Sequence, residues 1–181
     1  MNRPWLIIVT SLPATGKTRL ARKIAADRLW PLLAKDTIKE WLFESLGVGD
    51  AKWSRQLSDA SFTILFAVAR DVMRHNSDLV LEGNLQPREH EKMLQAMLQS
   101  QSASAPRCIQ ILCRVDEVER RRRLHARRAD PARHAGHLDA TQRLDLRGVD
   151  GFLDLPGDRL LHDSGAVAFD DVLTRLAELL G

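Results

Sequence analysis

The stretch Ser11-Leu12-Pro13-Ala14-Thr15-Gly16-Lys17-Thr18 constrains the fold more than any other part of the chain. An apolar run, Trp5 to Val9, leads into it, and a helical pattern, Lys17 to Arg28, follows it. In the order strand, tight loop, helix, backbone N–H groups can wrap an anionic phosphate. The helix N-terminus brings the positive end of its dipole to the same point. Gly16 lets the backbone approach a ligand with no Cβ in the way. Lys17 carries positive charge to the outer phosphates, and the Thr18 hydroxyl is placed to ligate Mg²⁺. The pattern for such a loop is GxxxxGK[ST], and Ser11 stands where the first glycine would be. Ser is small enough for the turn to survive, although a residue with a Cβ resists positive φ.

The rest of the chain alternates strand and helix patterns. Trp5 to Thr10 is apolar on both faces, as a strand at the centre of a parallel sheet must be. Leu20, Ala21, Ile24 and Ala25 share one face of the helix after the loop. Pro31 to Ala34 reads as a second strand ending in Lys35-Asp36, and a helix from Thr37 stops at Gly47 and Gly49. Trp53 to His75 is the longest helical stretch, with Leu57, Ala60, Ile64, Leu65, Val68 and Val72 expected inward. Leu79 to Glu82 is a third strand, broken by Gly83-Asn84, and Pro87 opens a helix to about Gln99. Ser100 to Ala105 reads as a surface loop and Arg107 to Arg114 as a fourth strand. Asp116 caps an arginine-rich helix through Arg128, and Asp130 to Asp139 reads as an exposed, mobile loop. Asp139 to Arg147 is expected to form short helical turns, Leu160-Leu161 the core of a fifth strand, and Phe169 to Leu180 a closing helix with Val172, Leu173, Leu176 and Leu180 inward. Such alternation predicts a parallel sheet with right-handed crossovers. Ligands then bind at the carboxyl ends of the strands. Those ends carry the loop after Thr10, Asp36, Glu82 with Asn84, and the segment after Arg114.

These residues suit phosphate chemistry. Asp36 reads as a general base for a hydroxyl, or as a helix N-cap. Glu82 can hold Mg²⁺, or is a polar strand end facing solvent. Arg123 and Arg127 share a helix face, with Arg120 one turn earlier. Like charges repel, so the cluster implies either a visiting anion, as in a lid closing over phosphates, or a solvated basic face. His134 and His137 lack the further ligands that zinc needs and are expected in the lid or at substrate, while His75, His90 and His162 read as surface or cap residues.

Composition sets outer limits. The 181 residues, 44% apolar and 28% charged with a net charge of +3, suit one globular domain, residues 1–181, with a lid at about 116–140. That charge does not call for a nucleic-acid partner, and the chain has no Tyr and no interleaving of Trp with basic residues for stacking bases. Cys108 and Cys113 are five apart and face opposite sides of a strand, so buried reduced thiols and a cytoplasmic location are expected. The run Phe62 to Ala69 is too short to span a bilayer, and no membrane role is expected.

With these motifs the chain resembles the P-loop kinases of small substrates, nearest the bacterial group related to polynucleotide kinase, zeta toxin and chloramphenicol phosphotransferase. The matching parts are Ser11 to Thr18, Lys35-Asp36-x-x-Lys39, Leu81-Glu82-Gly83-Asn84, and a lid with Arg123, Arg127 and Arg133-His134-Ala135-Gly136-His137. Ser11, Ala14 and Ala135 depart from that pattern. The resemblance implies a three-layer α/β/α P-loop NTPase fold with a five-stranded parallel sheet in the order 2-3-1-4-5 and a mobile lid. It implies ATP and Mg²⁺, with Asp36 as base, Lys39 and Asn84 at the acceptor, and lid arginines on phosphates. The nucleotide is expected at Pro13, Ala14, Thr15, Gly16, Lys17, Thr18, Arg19 and Arg133, the metal at Thr18 and Glu82, and catalysis from Lys17, Asp36, Arg123 and Arg127. The expected reaction moves the γ-phosphate of ATP to a hydroxyl of a small molecule. The alternatives are an NTPase switch and a nucleotide- or RNA-binding module with polynucleotide 5′-kinase-like activity.

Overall fold

The computed structural model describes residues 3–99, 105–137 and 151–181. Strands β1 (Trp5–Thr10), β2 (Leu32–Ala34), β3 (Leu79–Gly83), β4 (Arg107–Arg114) and β5 (Asp158–Asp163) form a five-stranded sheet in the order β2-β3-β1-β4-β5. Every neighbouring pair is parallel. Helices α1 (Lys17–Arg28), α2 (Lys35–Leu46), α3 (Ala51–Arg74), α4 (Pro87–Gln99), α5 (Glu117–Ala129) and α6 (Phe169–Leu180) alternate with the strands or follow one another between them. This is the expected P-loop architecture.

Two cores flank the sheet because side chains alternate along each strand. Leu6, Ile8, Leu79, Leu81 and Cys108 face a core closed by α3 and α4. Ile7, Val9, Val80, Ile111 and Cys113 face the other, closed by α1 and α6. The cysteines are therefore buried on opposite faces and unpaired, and burial pushes both thiols up to about 12.

Three local readings need correction. Helix α2 begins at Lys35, with Ala34 as its N-cap, so Asp36 lies in the first turn and caps nothing. The buried face of α3 is Ser54, Leu57, Ser61, Phe62, Leu65, Phe66, Ala69 and Met73, whereas Ile64 and Val68 are 37% and 40% exposed. Both sets recur at helical spacing, and the face with the larger rings of Phe62 and Phe66 wins the core. His90 and His162 are buried, not superficial. The helical turns expected at 139–147, most of the loop at 100–105 and the end of the lid at 138–140 lie outside the described residues. Among the described residues no helix is long and apolar enough to cross a membrane.

Candidate active site

The carboxyl ends of β1, β2 and β3 open into a cavity of 480 Å³. The loop after β1 forms its floor. Ser11 is buried, its hydroxyl donates to the Cys113 carbonyl, and its φ is not positive. The turn thus survives with a serine here, and the left-handed positions fall at Ala14 (φ 66) and Gly16 (φ 85). A Cβ on Gly16 would also lie 3.3 Å from the Ser164 Cβ. Thr15 closes the turn by donating to the Leu12 carbonyl at 2.9 Å.

Helix α1 sends Lys17, Thr18, Arg19 and Arg22 to the cavity. The Thr18 hydroxyl donates to Glu82 Oε1 at 3.2 Å, and Lys17 Nζ lies 3.8 Å from the same oxygen. Glu82 Oε2 is buried with no hydrogen-bond partner. Burial pushes the Glu82 carboxyl above its usual range, against the pull of Lys17. A hard cation would satisfy that orphaned oxygen, so the residues present fit Mg²⁺. Among the described residues no group of three or more His, Cys, Asp and Glu side chains gathers as a metal site. Mg²⁺ takes one or two carboxylates together with substrate phosphates and water.

Asp36 reaches the cavity from α2. Lys35 Nζ lies 3.4 Å from its Oδ1 and Arg127 Nη2 lies 3.5 Å from its Oδ2. Burial opposes ionisation there, but the charges of Lys35, Lys17 and Arg127 outweigh it and hold the carboxyl well below the usual carboxylate range. Neighbouring carboxyls at one site are thus pushed in opposite directions, Asp36 towards charge and Glu82 away from it.

Arg123, Arg127 and Arg133 line the opposite wall. Glu117 pairs Arg120 and Arg121 at 2.8 Å each, and Glu119 pairs Arg122 at 2.6 Å and Arg123 at 2.8 Å. These pairs sit three or four residues apart on α5 and offset the repulsion, so the cluster does not require a visiting anion. Arg120 is buried against Glu117 and does not line the cavity. Arg123 also donates to the Ser164 hydroxyl at 2.9 Å.

Of the expected site residues, the structure brings together Ala14, Gly16, Lys17, Thr18, Arg19, Asp36, Glu82, Arg123, Arg127 and Arg133. Pro13, Thr15, Lys39 and Asn84 are not in the lining. Lys39 is buried, donates to the Ser54 hydroxyl at 2.9 Å, and lies 5.3 Å from the centre of the Phe43 ring. His134 stacks on Phe43 and His137 meets Glu40, so both belong to the contact between the segment after α5 and α2. Arg22, Ala34, Thr37 and Glu40 line the cavity unforeseen. Helical spacing was the available signal: Arg22 follows Thr18 by four, and Glu40 follows Asp36 by four.

A family model described as an AAA domain matches residues 6–146. The chain belongs to this family. A candidate kinase from Chloroflexus aurantiacus shares 30% identity with this member over 99% of this chain and 100% of its own, with a TM-score of 0.88. The fold of the family member is also that of the Mycobacterium tuberculosis APS kinase solved with AMPPNP and APS (18% identity, 99% of each chain, TM-score 0.59). A Sinorhizobium meliloti gluconokinase shares it too (14% identity, 98% and 95% covered, TM-score 0.55). No curated protein matches the chain.

Proposed function

We propose that this protein is an ATP-dependent phosphotransferase that moves the γ-phosphoryl group of ATP to a hydroxyl of a small molecule. One observation carries the reading: an ionised carboxylate, Asp36, lines the same cavity as the phosphate loop residues Lys17 and Thr18. A hydroxyl beside Asp36 is then next to the phosphate cradle. The kinase neighbours, including the candidate kinase at 30% identity, agree with it.

In this reading the loop amides and Lys17 hold the outer phosphates. Thr18 and Glu82 would hold Mg²⁺, which would neutralise phosphate charge. Asp36 orients the acceptor hydroxyl and takes its proton as the new O–P bond forms. The bond between the γ-phosphorus and the bridging oxygen breaks, and ADP leaves with the electron pair. A carboxyl held well below its usual range is a weak base, but the cations that hold it there include Lys17 and Arg127. A bound triphosphate draws on those same charges and raises the basicity of Asp36 when the proton must move. Arg123, Arg127 and Arg133 stabilise the transferring group as parts of a lid, residues 116–140 of a single domain. The unpaired buried thiols suit the cytoplasm, where ATP is found. Pairing of Arg121 and Arg122 with glutamates argues against a polynucleotide stripe.

Replacing Lys17 tests the reading. Lys17→Ala should reduce ATP turnover about 10²-fold or more, the scale for losing one donor aimed at developing charge. Circular dichroism should show a folded protein. Unchanged turnover in the folded variant contradicts the proposal.

A further inference from the structure

The phosphate chemistry leaves one carboxylate of the cavity without a task. Glu40 lies one helical turn beyond Asp36 on α2, so the side chains share a face, and both line the cavity. His137 Nε2 lies 2.7 Å from Glu40 Oε1. His137 is itself held in place. The His134 ring stacks on Phe43 with centroids 5.6 Å apart, and a Cβ on Gly136 would fall 2.2 Å from a Phe43 ring carbon. Burial, with Arg133, holds the imidazole below its usual pKa against the pull of Asp36 and Glu40. The neutral ring can donate to Glu40 without cancelling its charge. A carboxylate has about four acceptor positions and His137 uses one of them.

We infer that Glu40 selects the acceptor, taking a hydrogen bond from a second hydroxyl of a neutral polyol whose first hydroxyl meets Asp36. This rests on the phosphotransferase reading. Side chains one turn apart on a helix have Cβ atoms about 5–6 Å apart, a span that two hydroxyls of one sugar-sized polyol can bridge. A carboxylate or phosphate on the acceptor would meet like charge at Glu40 in a half-buried site. The neighbouring cation that could have welcomed such a group, Lys39, is buried against Ser54 and Phe43 instead. In that reading Arg123, Arg127 and Arg133 serve the phosphates and Asp36, and the other cavity arginines, Arg19 and Arg22, lie with Thr18 on α1, on the nucleotide side.

The test uses the full chain, labelled ATP, and a panel of neutral polyols with their matched aldonic acids. Wild type should transfer phosphate to a neutral polyol with kcat/KM about tenfold or more above its acid. Glu40→Gln should raise KM for that polyol about tenfold, lower kcat much less, and shrink the preference over the acid. That is the scale of one hydrogen bond to a charged group. KM for ATP should stay as in wild type. A preference for the acid, or an unchanged polyol KM in Glu40→Gln, overturns the inference. Should Glu40→Gln fail to fold, the wild-type preference alone decides. Transfer to no polyol by a protein that still binds Mg-ATP overturns the polyol class and spares the phosphotransferase. Failure of wild type to bind Mg-ATP at all overturns both.

Discussion

His90 packs against the rings of Phe62 and Phe66, with centroids 3.9 and 6.0 Å away, and its Nδ1 accepts the Gln86 N–H at 2.8 Å. Only a neutral imidazole can accept there. Burial, with nearby Lys35 opposed by Asp59, lowers its pKa to about 4. The unfolded chain should bind this proton near the ordinary value of about 6.5. Between these values the unfolded state holds more protons, so stability falls as pH drops, by up to about 1.4 kcal/mol per pH unit. His137 and His162, both lowered chiefly by burial, act with the same sign. Urea unfolding at pH 7 and pH 4.5 should show a clear loss at the lower pH, reduced in His90→Gln. Equal stability at both would contradict the neutral, buried His90. Nothing in the sequence marked this residue, since burial of a histidine depends on the Phe62 and Phe66 rings from another helix. The effect of Ser11 stays open in the sequence for a related reason: the loop pattern shows that left-handed turns are needed, but not that Ala14 and Gly16 supply them.

At the scale of elements, helix α1 ends in an unusual way. The Trp30 N–H donates to the Ala25 carbonyl at 3.0 Å and the Leu29 N–H to the Ala26 carbonyl at 3.4 Å, the paired bonds of a Schellman ending. The residue at its left-handed position is Leu29, with φ 55 and 91% exposure. Its side chain packs on almost nothing and carries a steric cost of roughly 1–2 kcal/mol. Leu29→Gly should therefore raise stability by about 1 kcal/mol in chemical denaturation, with activity unchanged. A loss of stability would mean that the exposed side chain matters after all. Strand and helix limits were largely legible because caps and periods are local: Pro87, Asp116 and the apolar run of β1 mark their own elements. The inward face of α3 was not, because its apolar residues outnumber one face and the choice lies with β3 and α4. Gln110 was equally hidden. Buried in β4, it exchanges hydrogen bonds with the Leu153 backbone at 3.0 and 3.2 Å, tying the segment before β5 to the sheet.

Across the whole molecule, strand order and strand polarity make the site. Parallel strands bring every carboxyl end to one side, and placing β1 between β3 and β4 sets the phosphate loop beside Glu82. That much follows from alternation and the rule for open sheets. Which of Lys39 and Glu40 faces the cavity does not follow from spacing alone, because both lie about one turn beyond Asp36 and the packing of Lys39 on Ser54 and Phe43 decides it. The account joins the phosphate loop to a hydroxyl acceptor through Asp36. Asp36→Asn keeps the size of the side chain and removes the base. It loses attraction to Lys35 and Arg127, so a modest fall in thermal stability is expected alongside a folded protein. The decisive measurement is labelled phosphate transfer to an acceptor found by screening hydroxyl compounds, run beside Mg-ATP affinity on wild type and Asp36→Asn. Affinity should stay near normal while transfer falls about 10²-fold or more, the usual effect of a lost general base. Transfer at the wild-type rate in a folded, ATP-binding Asp36→Asn would contradict it.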